Sequence, residues 1–196
     1  LVVDDNSPDG TGKLVEKFIE KNSTKISNNN ESFVRLITRK KKEGIIQALL
    51  DGIDESKGEN ILVMDADFSH APSELKRNIN FFFKNSLDLL IGSRYLKKSR
   101  IINWTLGRRI FSILANFSAR NLLQIPITDF TNGYRIYSRR SVKKIIKNCG
   151  KIGDGFIILS EILVELYLNN FKIDEIHSKF VNRVRGESSV GFKLIL

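Results

Sequence analysis

Two aspartates one residue apart, Asp65 and Asp67, follow four apolar residues, Ile61-Leu62-Val63-Met64. In an extended chain, residues two apart point to the same side, so both carboxylates can reach one ion. Hard oxygen ligands at the mouth of a strand suit Mg²⁺ or Mn²⁺, which keep waters and share coordination with substrate phosphates. A plain polar strand end fits the same pattern. A second acidic strand end, Asp4-Asp5, follows Leu1-Val2-Val3 and runs into Asn6-Ser7-Pro8-Asp9-Gly10-Thr11, a stretch dense in turn residues. Its carboxylates can take hydrogen bonds from a base or ribose at a sheet edge. Alternatively, it is a tight strand-to-helix connection with Ser7 or Asp9 as the cap.

The basic candidates are Arg94, Arg108, Arg109, Arg120, Arg135, Arg183 and Arg185. Arg108, Ser112, Asn116 and Arg120 step by four and share a helical stripe with Arg109 on its edge, while Leu106, Ile110, Ile113, Leu114 and Phe117 take the other side. Guanidinium forks bind phosphate oxygens bidentately, so the stripe makes a phosphate seat; it also reads as a solvated helix face. Just before it, Lys97, Lys98, Arg100, Ile101, Ile102 and Trp104 resemble a segment at a membrane interface. Asp129 stands before a Gly-containing turn, and Arg183-Val184-Arg185-Gly186-Glu187-Ser188-Ser189 is a basic, polar candidate lid over a diphosphate.

These residues need elements to hold them. Apolar runs at Leu1–Val3, Phe33–Thr38, Ile61–Met64, Asp88–Gly92 and Lys172–His177 predict strands, with a further extended piece at Phe180–Val184. Helical periodicity covers Leu14–Ile19, Ile45–Ile53, Pro72–Phe82, a long region Ile101–Ile125, Val142–Asn148 and Phe156–Leu168. Strands alternating with helices predict an α/β fold with a mostly parallel sheet and a site beyond the carboxyl ends of its strands. With 196 residues, 41% hydrophobic and 28% charged, the chain reads as one globular domain. Its net charge of +10 calls for an anionic partner. The single cysteine, Cys149, excludes an internal disulfide and reads as a buried helix residue.

The motifs and their order resemble the dolichyl-phosphate mannosyltransferase family, inverting polyprenyl-phosphate glycosyltransferases of the GT-A fold. Val-Asp-Asp-Asn-Ser-Pro-Asp-Gly-Thr at 3–11 is similar to that family's first nucleotide-binding motif, and Met-Asp-Ala-Asp-Phe-Ser-His at 64–70 to its metal motif. Gly-Ser-Arg-Tyr at 92–95, Arg-Arg-Ile-Phe-Ser at 108–112, Thr-Asp-Phe-Thr-Asn-Gly-Tyr-Arg at 128–135 and Phe-Val-Asn-Arg-Val-Arg-Gly-Glu-Ser at 180–188 follow in family order. The family's Pro-x-Tyr-Asn-Glu strand is missing, which implies a chain truncated at its N-terminus, without the first strand and helix.

The resemblance implies a metal, Mg²⁺ or Mn²⁺, held by Asp65, Asp67 and, where some members carry Gln, Ser69. It implies a nucleotide-diphosphate sugar, GDP-mannose favoured, lined by Val3, Asp5, Asp65, Ala66, Asp67, Arg183 and Ser189, the last standing where a lysine can occur. The acceptor implied is a polyprenyl phosphate on Arg94, Arg108 and Ser112, with Asp67, Asp129 and Arg183 at the chemistry. Asp129 is cast as an orienting group for sugar or arginine, with a base role open. The place implied is the cytoplasmic face of a membrane, bound peripherally. Transfer from a UDP-sugar to undecaprenyl phosphate is the alternative within the fold. A basic nucleic-acid-binding module accounts for the charge but not for carboxylate pairs at strand ends, so no nucleic acid is expected.

Overall fold

The computed structural model describes residues 1–26, 34–153, 155 and 157–182. The chain divides into two compact units, Leu1–Lys57 and Gly58–Leu196.

In the first unit, β1 (Val2–Asp4) pairs in parallel with β2 (Leu36–Thr38), with Val3 opposite Ile37. Helix α1 (Thr11–Ile26) follows the acidic turn, and α2 (Ile45–Asp54) follows the basic run. Asp9 prepares the start of α1: its Oδ1 accepts from the Thr11 N–H at 3.0 Å and from the Thr11 hydroxyl at 2.6 Å. Helix α2 lies against β1 so closely that a Cβ on Gly52 would stand 3.0 Å from Val3 Cγ2.

The second unit is built on a four-stranded sheet in the order β3 (Asn60–Val63), β6 (Arg135–Ser138), β4 (Leu89–Ser93), β7 (Ile173–His177). β4 and β7 are parallel, and β6 runs antiparallel to both β3 and β4. Thus β3, β4 and β7 share one direction, and the strand between β3 and β4 reverses it. Every residue of β4 is buried, as expected of a central strand covered on both faces, whose sequence Leu-Leu-Ile-Gly-Ser shows no alternation. Phe82 from α3 (Leu75–Lys84) packs with Leu90, Ile136 and Ile176. Helix α6 (Ile157–Leu168) buries Ile158, Leu159, Ile162, Leu163 and Leu166 and is joined to α5 (Arg139–Asn148) by the Lys144–Glu165 ion pair at 3.2 Å. Cys149, just past α5, is buried, and burial pushes its thiol up to about 12, so it is an inert packing residue.

The stretch expected as one long helix from Ile101 is two elements. Arg100–Ile102 is a strand, β5, paired in parallel with β8 (Lys179–Val181), and helix α4 begins only at Leu106 and ends at Leu123. Asn103 at φ 62 breaks the strand, and the Thr105 side chain caps the helix by accepting from the Arg108 N–H. β-branched Ile101-Ile102 suits a strand as well as a helix, so periodicity alone could not separate the two.

Candidate active site

The first unit contributes Asp4 and Asp5. Asp4 is buried behind the turn, with its Oδ2 3.4 Å from the Ser7 N–H. Asp5 is an anchor: Oδ1 accepts from Arg39 Nη1 at 2.9 Å and the Glu43 N–H at 3.1 Å, and Oδ2 from the Gly44 N–H at 2.9 Å. Gly44 sits at φ 88, a conformation that favours glycine, immediately before α2. Arg39 is itself buried and also reaches Asp51 at 3.2 Å. Asp5 therefore fixes the entrance to α2. A carboxylate with about four acceptor positions can still receive a ribose hydroxyl. Val3 lies on β1 directly before this pair.

In the second unit the parallel strands open towards one edge, and the expected residues gather there. Asp65-Ala66-Asp67 follows β3, with Asp65 and Ala66 exposed and Asp67 half-buried. Asp67 Oδ1 accepts from the Ser69 N–H at 3.0 Å, and the intervening Phe68 is held at φ 59 with 78% of its side chain exposed. The chain then turns inward. Ser69 and His70 are buried, the Ser69 hydroxyl has no hydrogen-bond partner among the described residues, and His70 Nε2 is 4.0 Å from Asp65 Oδ2. Burial first, and then the Arg94 charge, push His70 down to about 4, so the ring is neutral at pH 7. Among the described residues no group of three or more His, Cys, Asp or Glu side chains could hold a metal. Two carboxylates and an orphaned hydroxyl do fit a hard cation that completes its shell with water and phosphate, the usual habit of Mg²⁺.

The turn before β6 lines the same edge. Gly92 lets it approach: a Cβ there would lie 2.6 Å from Tyr134 Cδ1, and the Tyr134 ring stacks on His70 with centroids 4.9 Å apart. Asp129 is fully buried and gathers five donors. Its Oδ2 takes the Arg94 N–H at 2.9 Å and Nε at 2.8 Å; its Oδ1 takes Arg94 Nη2 at 2.7 Å and the N–H groups of Thr131 at 3.2 Å and Asn132 at 3.1 Å. Burial alone would raise its pKa, but the Arg94 charge and these hydrogen bonds outweigh it and hold the carboxyl below the usual range. Arg94 Nη2 also donates to Thr131 Oγ1 at 2.7 Å.

Arg108 is exposed on the first turn of α4, its guanidinium carbon 4.3 Å from the Trp104 ring centroid and Nη1 3.4 Å from Asn182 Oδ1. Ser112, one turn on, has its hydroxyl 2.5 Å from the Tyr95 hydroxyl. Helix α4 is oriented contrary to an ordinary surface helix. The middle of its polar stripe faces inward, while Arg108, Arg109 and Arg120 stay exposed: Asn116 is buried, donates to Ser112 O and accepts from the Phe130 N–H at 2.7 Å. Its apolar side faces out, with Leu106, Ile110, Ile113, Leu114 and Phe117 all exposed. Arg135 is also not where a phosphate could meet it. It is 1% exposed and donates to the carbonyls of Phe130, Asn132 and Leu159. Arg183 and Ser189 lie outside the described residues.

Sequence reading alone missed Glu175. It lies in β7 and accepts from the Thr128 N–H at 2.7 Å, the Thr128 hydroxyl at 2.8 Å and the Asp129 N–H at 2.9 Å, clamping the turn that carries Asp129. Its one visible signal is an acid at an alternating position between Ile173 and Ile176.

The sequence pattern of Glycosyl transferase family 2 matches residues 1–146. The chain belongs to this family. It is 35% identical over 193 residues to the polyprenol monophosphomannose synthase of Mycolicibacterium smegmatis, a match spanning 97% of this chain and 69% of that protein. It is 32% identical over 199 residues to the dolichol-phosphate mannosyltransferase of Pyrococcus furiosus, spanning 100% of this chain and 51% of that protein. The chain thus spans about two thirds of one relative and half of the other. In three dimensions it is similar to glucosyl-3-phosphoglycerate synthase from Mycobacterium tuberculosis in complex with phosphoglyceric acid, with a TM-score of 0.62, 13% identity and coverage of 96% of this chain and 61% of that one. The complex of that enzyme with Mn²⁺ and UDP-glucose gives a TM-score of 0.61 at 14% identity, with the same coverage of 96% and 61%. The fold is that of the GT-A glycosyltransferases, an α/β architecture with parallel strands flanked by helices.

Proposed function

We propose that this glycosyltransferase moves mannose from GDP-mannose to a polyprenyl or dolichyl phosphate with inversion at the anomeric carbon. The observation that carries this reading is the cluster in the second unit. Two carboxylates, the exposed Asp65 and the half-buried Asp67, stand just past the end of β3. Arg94 stands at the end of β4, while Arg108 and Ser112 lie on a helix whose exposed side is apolar. The two curated relatives act, by name, in phosphomannose or dolichol-phosphate mannose synthesis.

In this reading Asp65 and Asp67, with Ser69, hold Mg²⁺ or Mn²⁺, which supplies charge neutralisation on the departing diphosphate. The nucleotide is assigned to Val3, Asp5 and Ala66, and the diphosphate contacts to Arg183 and Ser189. Arg94, Arg108 and Ser112 hold the acceptor phosphate. Its second pKa is about 6, so it is largely dianionic at pH 7. A phosphate oxygen bonds to the anomeric carbon as the bond from that carbon to the diphosphate breaks, and no proton need be removed first. Asp129 orients Arg94 in this scheme and takes no proton: its pKa is low and its oxygens are saturated with donors.

The exposed apolar face of α4 supports peripheral contact with the cytoplasmic face of a membrane, where the lipid acceptor resides. No helix among the described residues is long and apolar enough to cross one.

The test is incubation with GDP-mannose, Mn²⁺ and a polyprenyl phosphate, scored for a mannosyl glycolipid. Asp67→Ala is expected to abolish product while the thermal melt stays near that of the wild type, because the side chain is only half-buried and lies past the strand end, outside the core. Metal-dependent transfer by Asp67→Ala near the wild-type rate would overturn the metal assignment. Product from UDP-glucose alone would move the reading to the UDP-sugar alternative.

A further inference from the structure

Trp104 lies between the two arginines assigned above, and no role in sugar transfer has been given to it. Its ring centroid is 4.3 Å from the guanidinium carbon of Arg108 and 5.3 Å from that of Arg94. The ring is fixed from behind: it meets Phe180 edge-on with centroids 5.4 Å apart, and Phe180 in turn meets His70 at 5.2 Å. Phe180 belongs to β8, whose Val181 N–H donates to Ser69 O at 2.9 Å, so the shelf is tied to the metal motif through one short strand. The indole Nε1–H is buried and has no hydrogen-bond partner among the described residues.

Two features of this arrangement ask for an anion. Guanidinium groups are attracted to an indole face, but two of them on one ring repel each other. Arg94 is answered by Asp129 through Nε and Nη2, leaving Nη1 without a hydrogen bond to any described residue. Arg108 lies on the same ring, with Nη1 3.4 Å from Asn182 Oδ1. A buried indole N–H is also a donor that folded proteins nearly always satisfy. A phosphate group would answer both, accepting from Arg94 Nη1 and from the indole beside the Arg108 guanidinium.

We propose that Trp104 is part of the acceptor-phosphate site: its ring is the shelf on which Arg94 and Arg108 converge, and its N–H is a donor to the phosphate. This rests on the assignment of Arg94 and Arg108 to the acceptor. The ligand is a phosphate monoester of a prenyl alcohol, and the group recognised at this point is the phosphate itself.

Trp104 is the single tryptophan of the sequence, so emission of the wild type minus that of Trp104→Phe isolates its signal. The probes are a water-soluble two-isoprene prenyl phosphate, the same alcohol without phosphate, and inorganic phosphate. The expected result is a saturable change with the prenyl phosphate that is lost in Arg108→Ala and absent with the alcohol. A weaker, Arg108-dependent response to inorganic phosphate would agree with recognition of the headgroup. In transfer assays Trp104→Phe keeps the shelf but loses the donor, and should raise the acceptor KM severalfold. Trp104→Leu loses both and should raise it tenfold or more, with donor affinity unchanged in either variant.

Flat emission at prenyl phosphate concentrations that saturate transfer would overturn the proposal, as would an equal response to the alcohol or a wild-type acceptor KM in Trp104→Leu. The emission titration needs no turnover. It therefore decides the role of Trp104 even if no sugar is transferred, whereas absence of glycolipid from every donor would refute the function proposed above.

Discussion

Replacing Asp129 by Asn tests the centre of the site. The amide nearly preserves shape but turns one acceptor oxygen into a donor. Whichever way it sits, that donor faces at least two of the N–H groups now bound, because Oδ2 accepts twice and Oδ1 three times. It also leaves the Arg94 charge, 9% exposed, without its counter-ion. Breaking a buried pair from one side costs about 3–5 kcal/mol, a large share of a domain stability of about 5–15 kcal/mol. Urea unfolding of Asp129→Leu, Arg94→Met and the Arg94→Met/Asp129→Leu double variant, alongside Asp129→Asn, closes a cycle. The double variant should recover much of the loss, with a coupling of about 2–3 kcal/mol.

The acid dependence has a definite sign. Asp129 has a lowered folded pKa, so its contribution is fully present above the unfolded value of about 3.9 and is lost as pH falls through the folded value. The stability gap between wild type and Asp129→Asn should be flat at neutral pH and close below about pH 4. In transfer assays the single variants should raise the acceptor KM, and the pH–rate profile should keep its shape. A coupling near zero would refute the pairing argument. Loss of an acidic limb from the kcat profile in Asp129→Asn alone would show that the carboxylate works as a base.

Other consequences follow from α4. Asn116→Ala leaves the Phe130 N–H without its acceptor and should cost about 1–3 kcal/mol in urea unfolding; a cost under a few tenths would mean that this bond does not hold the helix to the Asp129 turn. Leu114→Glu/Phe117→Glu alters only exposed positions, so stability should stay within about 0.5 kcal/mol per site. Binding to anionic liposomes should nevertheless fall roughly tenfold or more, since each apolar side chain removed forfeits up to about 1.5–3 kcal/mol of burial. Unchanged sedimentation with liposomes would refute membrane contact through this face.

The sequence by itself determined the acidic strand ends. A short apolar run closed by Asp-x-Asp leaves no other place for the carboxylates than the end of the strand, and the structure has Asp65 and Asp67 just past β3, after Met64. It likewise determined the helices at Ile45–Asp54 and Leu75–Lys84, whose apolar positions recur at a single period. Only the tertiary structure decided which way α4 faces. An amphipathic pattern separates two sides but does not say which meets the protein, and the ordinary rule was reversed because Asn116 supplies the acceptor that the Phe130 N–H requires. Only the tertiary structure reversed β6 between its neighbours, since pairing direction depends on where the preceding turn delivers the chain. It also divided the arginines. Arg94 and Arg135 are equally basic in sequence, yet one meets a carboxylate and the other three backbone carbonyls. A guanidinium's task is set by the groups around it, and those come from residues up to 37 positions away for Arg94 and 24 for Arg135.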